Sequence, residues 1–290
     1  NGCTFLLVID NLRYDQWKMI QPIVQDYFKV ENEELFFSIL PSATQYARNA
    51  IFSGLLPSEM EKRHPEWWKN DEDEGGKNMH EEDFLNAQIK RLGKDIKTSY
   101  NKITNFAAGK KLSENMSNLM NNKLNVIVYN FVDMLSHSRT ESEMIRELAD
   151  DEPAYRSLTL SWFEHSPLLE MVKFIASKKC KLIITTDHGT VHVKEPTKVI
   201  GDKSVNTNLR YKQGRALDYN AKEVFEIKNP ADAFLPKQNV SSRFIFARED
   251  KFFAYPNNFN HYVQYYKNTF QHGGVSLEEM IIPYITLSAK

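Results

Sequence analysis

The sequence lacks the features that would mark a membrane protein, a disulfide-rich secreted protein or a broad duplex-DNA-binding surface. It has two cysteines in 290 residues, Cys3 and Cys180, which form no metal motif and indicate no disulfide framework. Each precedes a hydrophobic run, so we expect free, buried thiols in a reducing compartment. No apolar run approaches the ~20 residues of a membrane span, and no signal peptide opens the chain. These absences predict a cytoplasmic protein with no membrane partner.

The sequence also has no excess of charge of one sign. The chain has 37 basic and 38 acidic side chains, which argues against a wide basic footprint for duplex DNA. A small phosphorylated substrate remains compatible with this balance, because a pocket needs only local positive charge. Hydrophobic residues make up 41% and charged residues 26%, as in an ordinary globular protein.

Three short apolar runs, each ending in an aspartate, are the main signal for the fold. They are Phe5–Ile9 before Asp10, Val126–Val132 before Asp133, and Lys181–Thr186 before Asp187. Near-continuous hydrophobicity of this kind is typical of parallel strands buried on both faces. The intervening helical patterns cover Gln45–Ser53, Asp83–Lys94, Leu112–Asn121, Glu141–Asp150 and Leu168–Lys178. The alternation predicts an α/β fold with a doubly wound, mostly parallel sheet and helices on both faces.

Two segments depart from this alternation. Residues 66–83 are acidic and contain a Gly-Gly break, which predicts a solvated loop. Residues 194–222 carry seven basic side chains against three acidic ones. This basic stretch is either a lid or phosphate-guiding wall, or a solvated excursion of the chain. We therefore predict an inserted cap segment at 194–240 as one possible feature of the domain.

The polar residues after the strands form a pattern suited to metal chemistry. In doubly wound sheets the ligand lies outside the carboxyl ends of the strands, where all three runs end in aspartate. Histidines accompany two of the aspartates, as Asp133 with His137 and Asp187 with His188, and His272 stands on a Gly-Gly turn. Carboxylate oxygens together with imidazole nitrogens suit Zn²⁺, with Mn²⁺ as the alternative. Three aspartates and three histidines are enough for two such sites.

The order of these residues resembles the alkaline phosphatase superfamily. In that superfamily a hydroxyl nucleophile lies at a helix N-terminus after a Pro- or Ser-containing loop, and Pro41-Ser42-Ala43-Thr44 fits that place. The run Val-Ile-Asp10-Asn-Leu-Arg13, the Ser-Ala-Thr44 loop and His272-Gly-Gly-Val-Ser-Leu-Glu-Glu-Met-Ile-Ile-Pro283 are more closely similar to PglZ domains. The similarity is greatest to the output domains of PorX-type response regulators, which help to control type IX secretion.

This resemblance implies the organisation of the protein. Residues 1–290 would form one PglZ domain, from whose N-terminus a receiver domain has been removed. A sensor histidine kinase would act through that receiver, and a homodimer is a further possible partner arrangement.

The resemblance also implies a set of site residues. Thr44 would be the nucleophile, and two divalent metal ions, Zn²⁺ or alternatively Mn²⁺, would be bound. One ion would be held by Asp133, His137 and His272, and the other by Asp10, Thr44, Asp187 and His188. Arg48 and Arg13 are the candidate phosphate contacts, with a structural ion-pair role as the alternative for each.

The function implied is metal-dependent phosphodiester hydrolysis through a phosphothreonine intermediate. Cyclic or short linear oligonucleotides are the favoured substrates, because the family belongs to signalling systems and the basic 194–222 stretch supplies local positive charge. Two alternatives stay open: a phosphomonoesterase, or a metal-stabilised binding and dimerisation module without physiological catalysis.

Overall fold

The computed structural model describes residues 2–130, 132, 135, 143–201 and 206–290, and the chain divides into two compact units. Unit 1 consists of Asn1–Phe37, Gly93–Gly189 and Ile281–Lys290. Unit 2 consists of Ser38–Leu92 and Thr190–Met280. Because the two units are interleaved along the sequence, each is assembled from stretches that are distant in the chain.

Unit 1 contains a six-stranded mixed sheet in the order β2-β14-β5-β1-β4-β3. Its strands are β1 (Thr4–Ile9), β2 (Phe28–Phe37), β3 (Thr98–Ile103), β4 (Leu124–Tyr129), β5 (Lys181–Thr185) and β14 (Ile281–Ala289). Strands β5, β1, β4 and β3 are mutually parallel, whereas β14 runs antiparallel to both β5 and β2. This arrangement confirms the predicted α/β fold with a mostly parallel sheet.

The apolar runs of the sequence form the centre of this sheet. In β4 the last five residues, from Asn125 to Tyr129, are all buried, as expected for a strand covered on both faces. The strand ends at Tyr129, so the predicted extension of this run to Val132 is wrong. The described helices of unit 1 are α1 (Tyr14–Gln25), α5 (Phe106–Glu114), α6 (Glu143–Leu148), α7 (Glu152–His165) and α8 (Pro167–Ser177).

One predicted helix, Leu112–Asn121, is divided in the structure. Helix α5 ends at Glu114, and a short 3₁₀ helix follows at Met116–Leu119. Asn115 separates the two, with its backbone outside the α-helical region. Asparagine side chains compete with the backbone for hydrogen bonds and so disfavour helix interiors, which explains why the helix stops there.

The two cysteines of unit 1 form a disulfide, which contradicts the expectation of free thiols. Strands β1 and β5 are parallel neighbours with Thr4 opposite Lys181, so the residues just before them, Cys3 and Cys180, lie side by side. Their Cα atoms are 5.3 Å apart, and the bond closes a separation of 177 residues. Both cysteines are buried, as predicted.

Unit 2 consists of helices and short strands. Its helices are α2 (Thr44–Ser53), α3 (Pro57–Arg63), α4 (Glu81–Arg91), α9 (Phe259–Tyr266) and α10 (Leu277–Met280). Its strands are β6 (Val191–His192), β7 (Glu195–Ile200), β8 (Tyr211–Gly214), β9 (Asp218–Tyr219), β10 (Val224–Ile227), β11 (Arg243–Ala247), β12 (Lys251–Ala254) and β13 (Phe270–Gln271). They form two three-stranded sheets, β10-β11-β8 and β12-β7-β9, and the pair β13-β6.

The described part of the predicted cap segment 194–240 belongs to unit 2. It contributes β7, β8, β9 and β10 to the two small sheets, and its role as a cap stays a prediction. Val199 of β7 and Val224 of β10 form a buried apolar cluster with Ile245 of β11. In the part of the chain that the structure describes, no helix combines the length and the apolar character needed to cross a membrane.

Candidate functional site

Unit 1 brings together three of the residues predicted to bind metal. Val8 of β1 pairs with Thr185 of β5, so Asp10 and Asp187 each follow two positions later at the same edge of the sheet. Both carboxylates are buried, as is His188. One ligand atom from each of Asp10, Asp187 and His188 lies within 4.8 Å of the other two. The strand register therefore accounts for the convergence that the sequence predicts.

The imidazole of His188 faces both carboxylates. Its Nε2 lies 3.7 Å from Oδ1 of Asp10 and 3.7 Å from Oδ2 of Asp187. Its Nδ1 lies 2.9 Å from the carbonyl oxygen of Gly189, which accepts a hydrogen bond. Because a carbonyl can only accept, the proton of the neutral ring belongs on Nδ1, and Nε2 keeps the lone pair that a metal binds.

The second oxygen of Asp187 is held by the backbone of the adjoining turns. Its Oδ1 accepts hydrogen bonds from the backbone N–H groups of Asn11 (3.3 Å) and His188 (3.1 Å). The hydroxyl of Thr186 accepts from the N–H of Leu12 at 3.1 Å and lies 3.3 Å from Asp187 Oδ1. Asn11 and Thr186 therefore orient the carboxylate. Sequence reasoning missed them, because ordinary turn residues give no signal of this role.

The donor set of unit 1 fits a divalent cation. Two carboxylates buried this close together repel each other, and burying such charges is costly without a compensating positive charge. Two carboxylate oxygens and an imidazole nitrogen are ligand atoms that Zn²⁺ accepts. Because Zn²⁺ usually has four ligands, at least one coordination position remains for a further ligand. The two other predicted ligands of this sheet edge, Asp133 and His137, lie outside the described residues.

Unit 2 holds the predicted nucleophile, Thr44, at the first position of helix α2. The preceding residue, Ala43, has an extended backbone. The first N–H groups of a helix have no acceptor within the helix, and together with the helix dipole they favour an anion. Thr44 is partly exposed, whereas Ala43 and Gln45 on either side are buried. Thr44 therefore lies at a helix start, and its role as the nucleophile stays a prediction.

Ser42 joins the loop of Thr44 to the turn of His272 within the same unit. Its hydroxyl donates to the carbonyl of Gly274 at 2.8 Å and accepts from the N–H of Gly273 at 3.2 Å. Its carbonyl lies 3.2 Å from Nδ1 of His272, which must be the donor. The proton of the neutral His272 ring therefore belongs on Nδ1, and Nε2 carries the lone pair. The sequence placed Ser42 in the loop but gave no signal of this double role.

A buried ion pair supports the same turn. The carboxylate of Glu279 accepts from the N–H of Gly274 at 3.0 Å and from the hydroxyl of Ser276 at 2.8 Å. It also pairs in a bidentate manner with Arg210, at 2.9 and 2.7 Å, and both side chains are fully buried. The sequence counted Arg210 within a basic stretch, and no local pattern identified its partner 69 residues away.

The neighbouring atoms leave no space for a side chain at either glycine of the turn, Gly273 or Gly274. Gly273 has a φ of +122°, and a Cβ there would lie 2.7 Å from the ring of Tyr211. A Cβ on Gly274 would lie 2.6 Å from the carbonyl oxygen of Ala247. The glycines let the turn approach its surroundings closely.

Arg48 and Arg13, the two candidate phosphate contacts, both make ion pairs. The buried Arg48 has its Nε 2.6 Å from Glu81, which links α2 to α4. Arg13 in unit 1 pairs with Asp15 at 2.9 Å and with Glu152 at 2.7 Å. These contacts match the structural interpretation of both arginines, and a phosphate contact by either stays a prediction.

Lys212, like Arg210, is a basic residue of the 194–222 stretch whose side chain is buried. Its Nζ donates to the carbonyl of Asn206 at 2.7 Å and lies 4.9 Å from the ring centre of Tyr255. Burial lowers the pKa of Lys212 to about 7, with the charge of Asp71 opposing the shift. Burial also raises the pKa of Tyr211, whose hydroxyl donates to Asp71 at 3.0 Å. The stretch is therefore partly a buried network, and neither interpretation of its basic charge anticipated this.

The chain matches the family model described as the BREX system PglZ alkaline phosphatase-like domain over residues 1–287. No curated protein is similar enough in sequence to match.

Solved structures show the same fold at low identity. The murine ectonucleotide pyrophosphatase/phosphodiesterase 5, in an inactive threonine-to-alanine form in complex with AMP, is 12% identical, with a TM-score of 0.66. The alignment covers 99% of this chain and 88% of the murine one. The human protein of that name is also 12% identical, with a TM-score of 0.66 and coverage of 99% and 87%.

Phosphonoacetate hydrolase from Sinorhizobium meliloti, solved in complex with phosphonoformate, is 11% identical, with a TM-score of 0.57. In that case 98% of this chain and 89% of the hydrolase are covered. These likenesses confirm an alkaline phosphatase-like fold along almost the whole chain.

Proposed function

Since the chain belongs to the PglZ family of alkaline phosphatase-like domains, we propose that it is a metal-dependent phosphodiesterase. The observation that carries the proposal is the buried group of Asp10, Asp187 and His188 at the ends of adjacent strands. Two buried carboxylates of the same charge are unfavourable by themselves. Proteins keep such groups at sites where a bound cation or substrate compensates the charge.

Divalent metal ions, Zn²⁺ or alternatively Mn²⁺, are the proposed cofactors. Unit 1 supplies Asp10, Asp187 and His188 to one ion, and the resemblance adds Thr44 as a further ligand. His272, with the predicted residues Asp133 and His137, would hold the second ion. When bound, such ions supply positive charge that favours ionised hydroxyls and stabilises phosphate oxygens.

Thr44 is the proposed nucleophile. Its oxygen attacks the phosphorus as the hydroxyl loses its proton to water, and the bond from phosphorus to the leaving oxygen breaks. The leaving oxygen takes up a proton and departs as an alcohol, and a phosphothreonine forms. Water then cleaves the phosphothreonine, releasing the phosphate product and restoring the hydroxyl. Two observations support the role: Thr44 begins α2, and the inactive form of the murine relative carries a threonine-to-alanine change.

Nucleotide diesters, either cyclic or short linear oligonucleotides, are the proposed substrates. Support comes from the similarity to the murine protein, which is named a phosphodiesterase and was solved with AMP. The sequence similarity to PorX-type output domains supports a place downstream of a receiver domain and a sensor histidine kinase, in cytoplasmic control of type IX secretion. A homodimer belongs to the same proposal.

The test compares hydrolysis of bis(p-nitrophenyl) phosphate and p-nitrophenyl phosphate after chelation and after Zn²⁺ or Mn²⁺ is restored. We expect metal-dependent turnover of the diester, and a loss of at least about 10³-fold in Thr44→Val. Thr104→Val, at an exposed threonine, is the matched control and should keep full activity. Faster turnover of the monoester would indicate a phosphatase instead.

Metal content separates the roles of the two units. Asp187→Asn should lower the bound metal per chain as well as activity, whereas Asp26→Asn, at an exposed aspartate, should change neither. Thr44→Val should remain folded and keep metal at the Asp10, Asp187 and His188 group. Full activity in Thr44→Val, or no turnover of either ester by folded protein that contains metal, would refute the proposal.

A further inference from the structure

An open groove of about 610 Å³ lies in unit 2, and none of its lining residues belongs to the proposed catalytic set. Its walls include Arg63, His64 and Trp67 at the end of α3, and Asp83, Lys90 and Arg91 from α4. The volume falls in the range of about 300–1,000 Å³ that is common for small-molecule sites.

The rings of His64, which follows α3, and His80, which precedes α4, are both nearly parallel to the ring of Trp67. His64 stacks on Trp67 with ring centres 4.4 Å apart and planes 4° apart. His80 lies beyond, at 6.3 Å from Trp67 and 16° from its plane. Phe84 meets Trp67 edge-on at 5.4 Å and fixes the indole from the side. Of these rings, His64 and Trp67 line the groove and offer aromatic surface to another flat ring.

Among the residues that line the groove, three are cationic and one, Asp83, is anionic, and the carboxylate of Glu66 lies 3.8 Å from Nδ1 of His64. Arg63, Lys90 and Arg91 are all exposed, and the carboxylate of Asp83 lies 2.7 Å from His80. Within the described residues, neither Arg63 nor Lys90 forms an ion pair, and the described hydrogen bond of Arg91 is to the carbonyl of Ser53. The groove therefore offers cationic groups to an anion from outside the molecule. This local excess stands out against the net charge of −1 for the whole chain.

We infer that this groove binds a nucleotide, with the base against His64 and Trp67 and the phosphate against Arg63, Lys90 and Arg91. A flat ring and an anion joined in one small molecule match the two features together. An inorganic phosphate would use the cations and leave the rings without a function. Stacking of a base on an aromatic side chain contributes the larger share of the affinity, and an exposed phosphate contact adds a smaller, salt-dependent share.

The site is additional to the proposed catalytic one, and its test is independent of hydrolysis. Protein carrying Thr44→Val and stripped of metal by chelation is titrated with AMP, adenosine and inorganic phosphate in a calorimeter. We expect AMP to bind at least tenfold more tightly than adenosine or phosphate. Added salt should weaken the binding of AMP and leave that of adenosine nearly unchanged.

Substitutions locate the binding in the groove. Trp67→Ala should weaken AMP binding at least tenfold, and Trp67→Phe should restore most of it because a flat ring is retained. Arg63→Ala combined with Lys90→Ala should also weaken binding at least tenfold. The matched control, Lys62→Ala with Lys94→Ala, removes two exposed charges that do not line the groove and should leave the affinity within twofold.

Several results would overturn the inference. They are an absence of AMP binding, AMP binding that survives both the Trp67→Ala and the double-alanine substitutions, or phosphate binding as tight as that of AMP. Because the exposed side chains Arg63 and Lys90 support no described packing or ion pair, their replacement tests binding without threatening the fold.

Discussion

The two units hold their candidate functional residues in different ways. In unit 1, Asp10, Asp187 and His188 follow the ends of parallel strands, and the register of β1 and β5 places them together. In unit 2, Thr44 and His272 stand at a helix start and on a glycine turn, and side chains hold these loops in place. Backbone pairing thus positions the first group, whereas Ser42, Glu279 and Arg210 position the surroundings of the second.

This difference decides how each unit should respond to substitution. A residue fixed by a sheet depends on the stability of the sheet, which many residues share. A turn fixed by a few buried polar contacts depends on each of them, because a buried polar group without its partner is costly. The following predictions test this contrast, from the largest expected effect to the smallest.

Removal of the disulfide tests the stability of the sheet in unit 1. The Cys3–Cys180 bond closes a loop with a separation of 177 residues, and its loss should lower the free energy of unfolding by about 5 kcal/mol in the chain-entropy model. Urea unfolding of Cys3→Ala/Cys180→Ala measures the change. Reduction of the wild-type protein should give a similar loss and should not affect the double variant. Equal stability of all forms would show that the bond does not brace the sheet.

Removal of one partner tests the buried ion pair of unit 2. Glu279→Leu leaves Arg210 buried without its carboxylate and should cost about 3–5 kcal/mol. The double variant Arg210→Met/Glu279→Leu should recover part of this loss, because no uncompensated charge remains. Thermal or urea unfolding of the three proteins completes the cycle. The exposed pair of Lys251 and Glu195 is the control, and its removal should have little effect.

A pair of glycine substitutions separates backbone strain from steric crowding in unit 2. Gly273 and Gly75 both have positive φ, but an added Cβ meets Tyr211 and Asn208 at Gly273 and no atom within 4 Å at Gly75. Gly273→Ala should therefore destabilise by about 1–3 kcal/mol, and Gly75→Ala by less. Gly273→Ala should also reduce hydrolysis, since it shifts the turn that holds His272. Equal effects at the two positions would show that the crowding does not matter.

The pH dependence of stability tests the buried amine of unit 2. Because burial lowers the pKa of Lys212 to about 7, the unfolded chain keeps this proton between about pH 7 and pH 10 while the folded chain releases it. The contribution of Lys212 to the free energy of unfolding is therefore lowest below pH 7. It rises as the pH increases from about 7 to about 10. Lys212→Met should be more stable than wild type near pH 6.

The advantage of Lys212→Met should shrink by about 1.4 kcal/mol per pH unit at most as the pH rises above 7. Unfolding at a series of pH values measures this difference, and the exposed Lys222→Met provides the control. A stability difference that does not change with pH would contradict the prediction.

The contrast also explains which parts of the fold the sequence could predict. Strands β1, β4 and β5 are short apolar runs, so their existence and approximate bounds were visible. Strand β2, Phe28–Phe37, has no regular alternation, and most of its residues are exposed at the edge of the sheet. The strands of unit 2 are two to six residues long, too short for periodicity to appear.

The predictable part of the site follows the same rule. Aspartates at strand ends converge whenever the strands are neighbours, so the grouping of Asp10 with Asp187 could be predicted. Prediction of the disulfide would have required the order of the strands in the sheet, because Cys3 and Cys180 meet only if β1 and β5 are adjacent. That order could not be read from the sequence. The partners of Arg48 and Arg210 are likewise set by tertiary packing alone.

The position of β14 has a consequence for the order in which the molecule can be completed during synthesis. This strand, Ile281–Ala289, lies between β5 and β2, although it is made after every other strand of the sheet. A nascent chain that ends at residue 280 has produced both neighbours without the strand that joins them. β2 then has no partner in the native sheet, because its described pairing is with β14. The sheet of unit 1 therefore closes only after the ribosome has released residues 281–289.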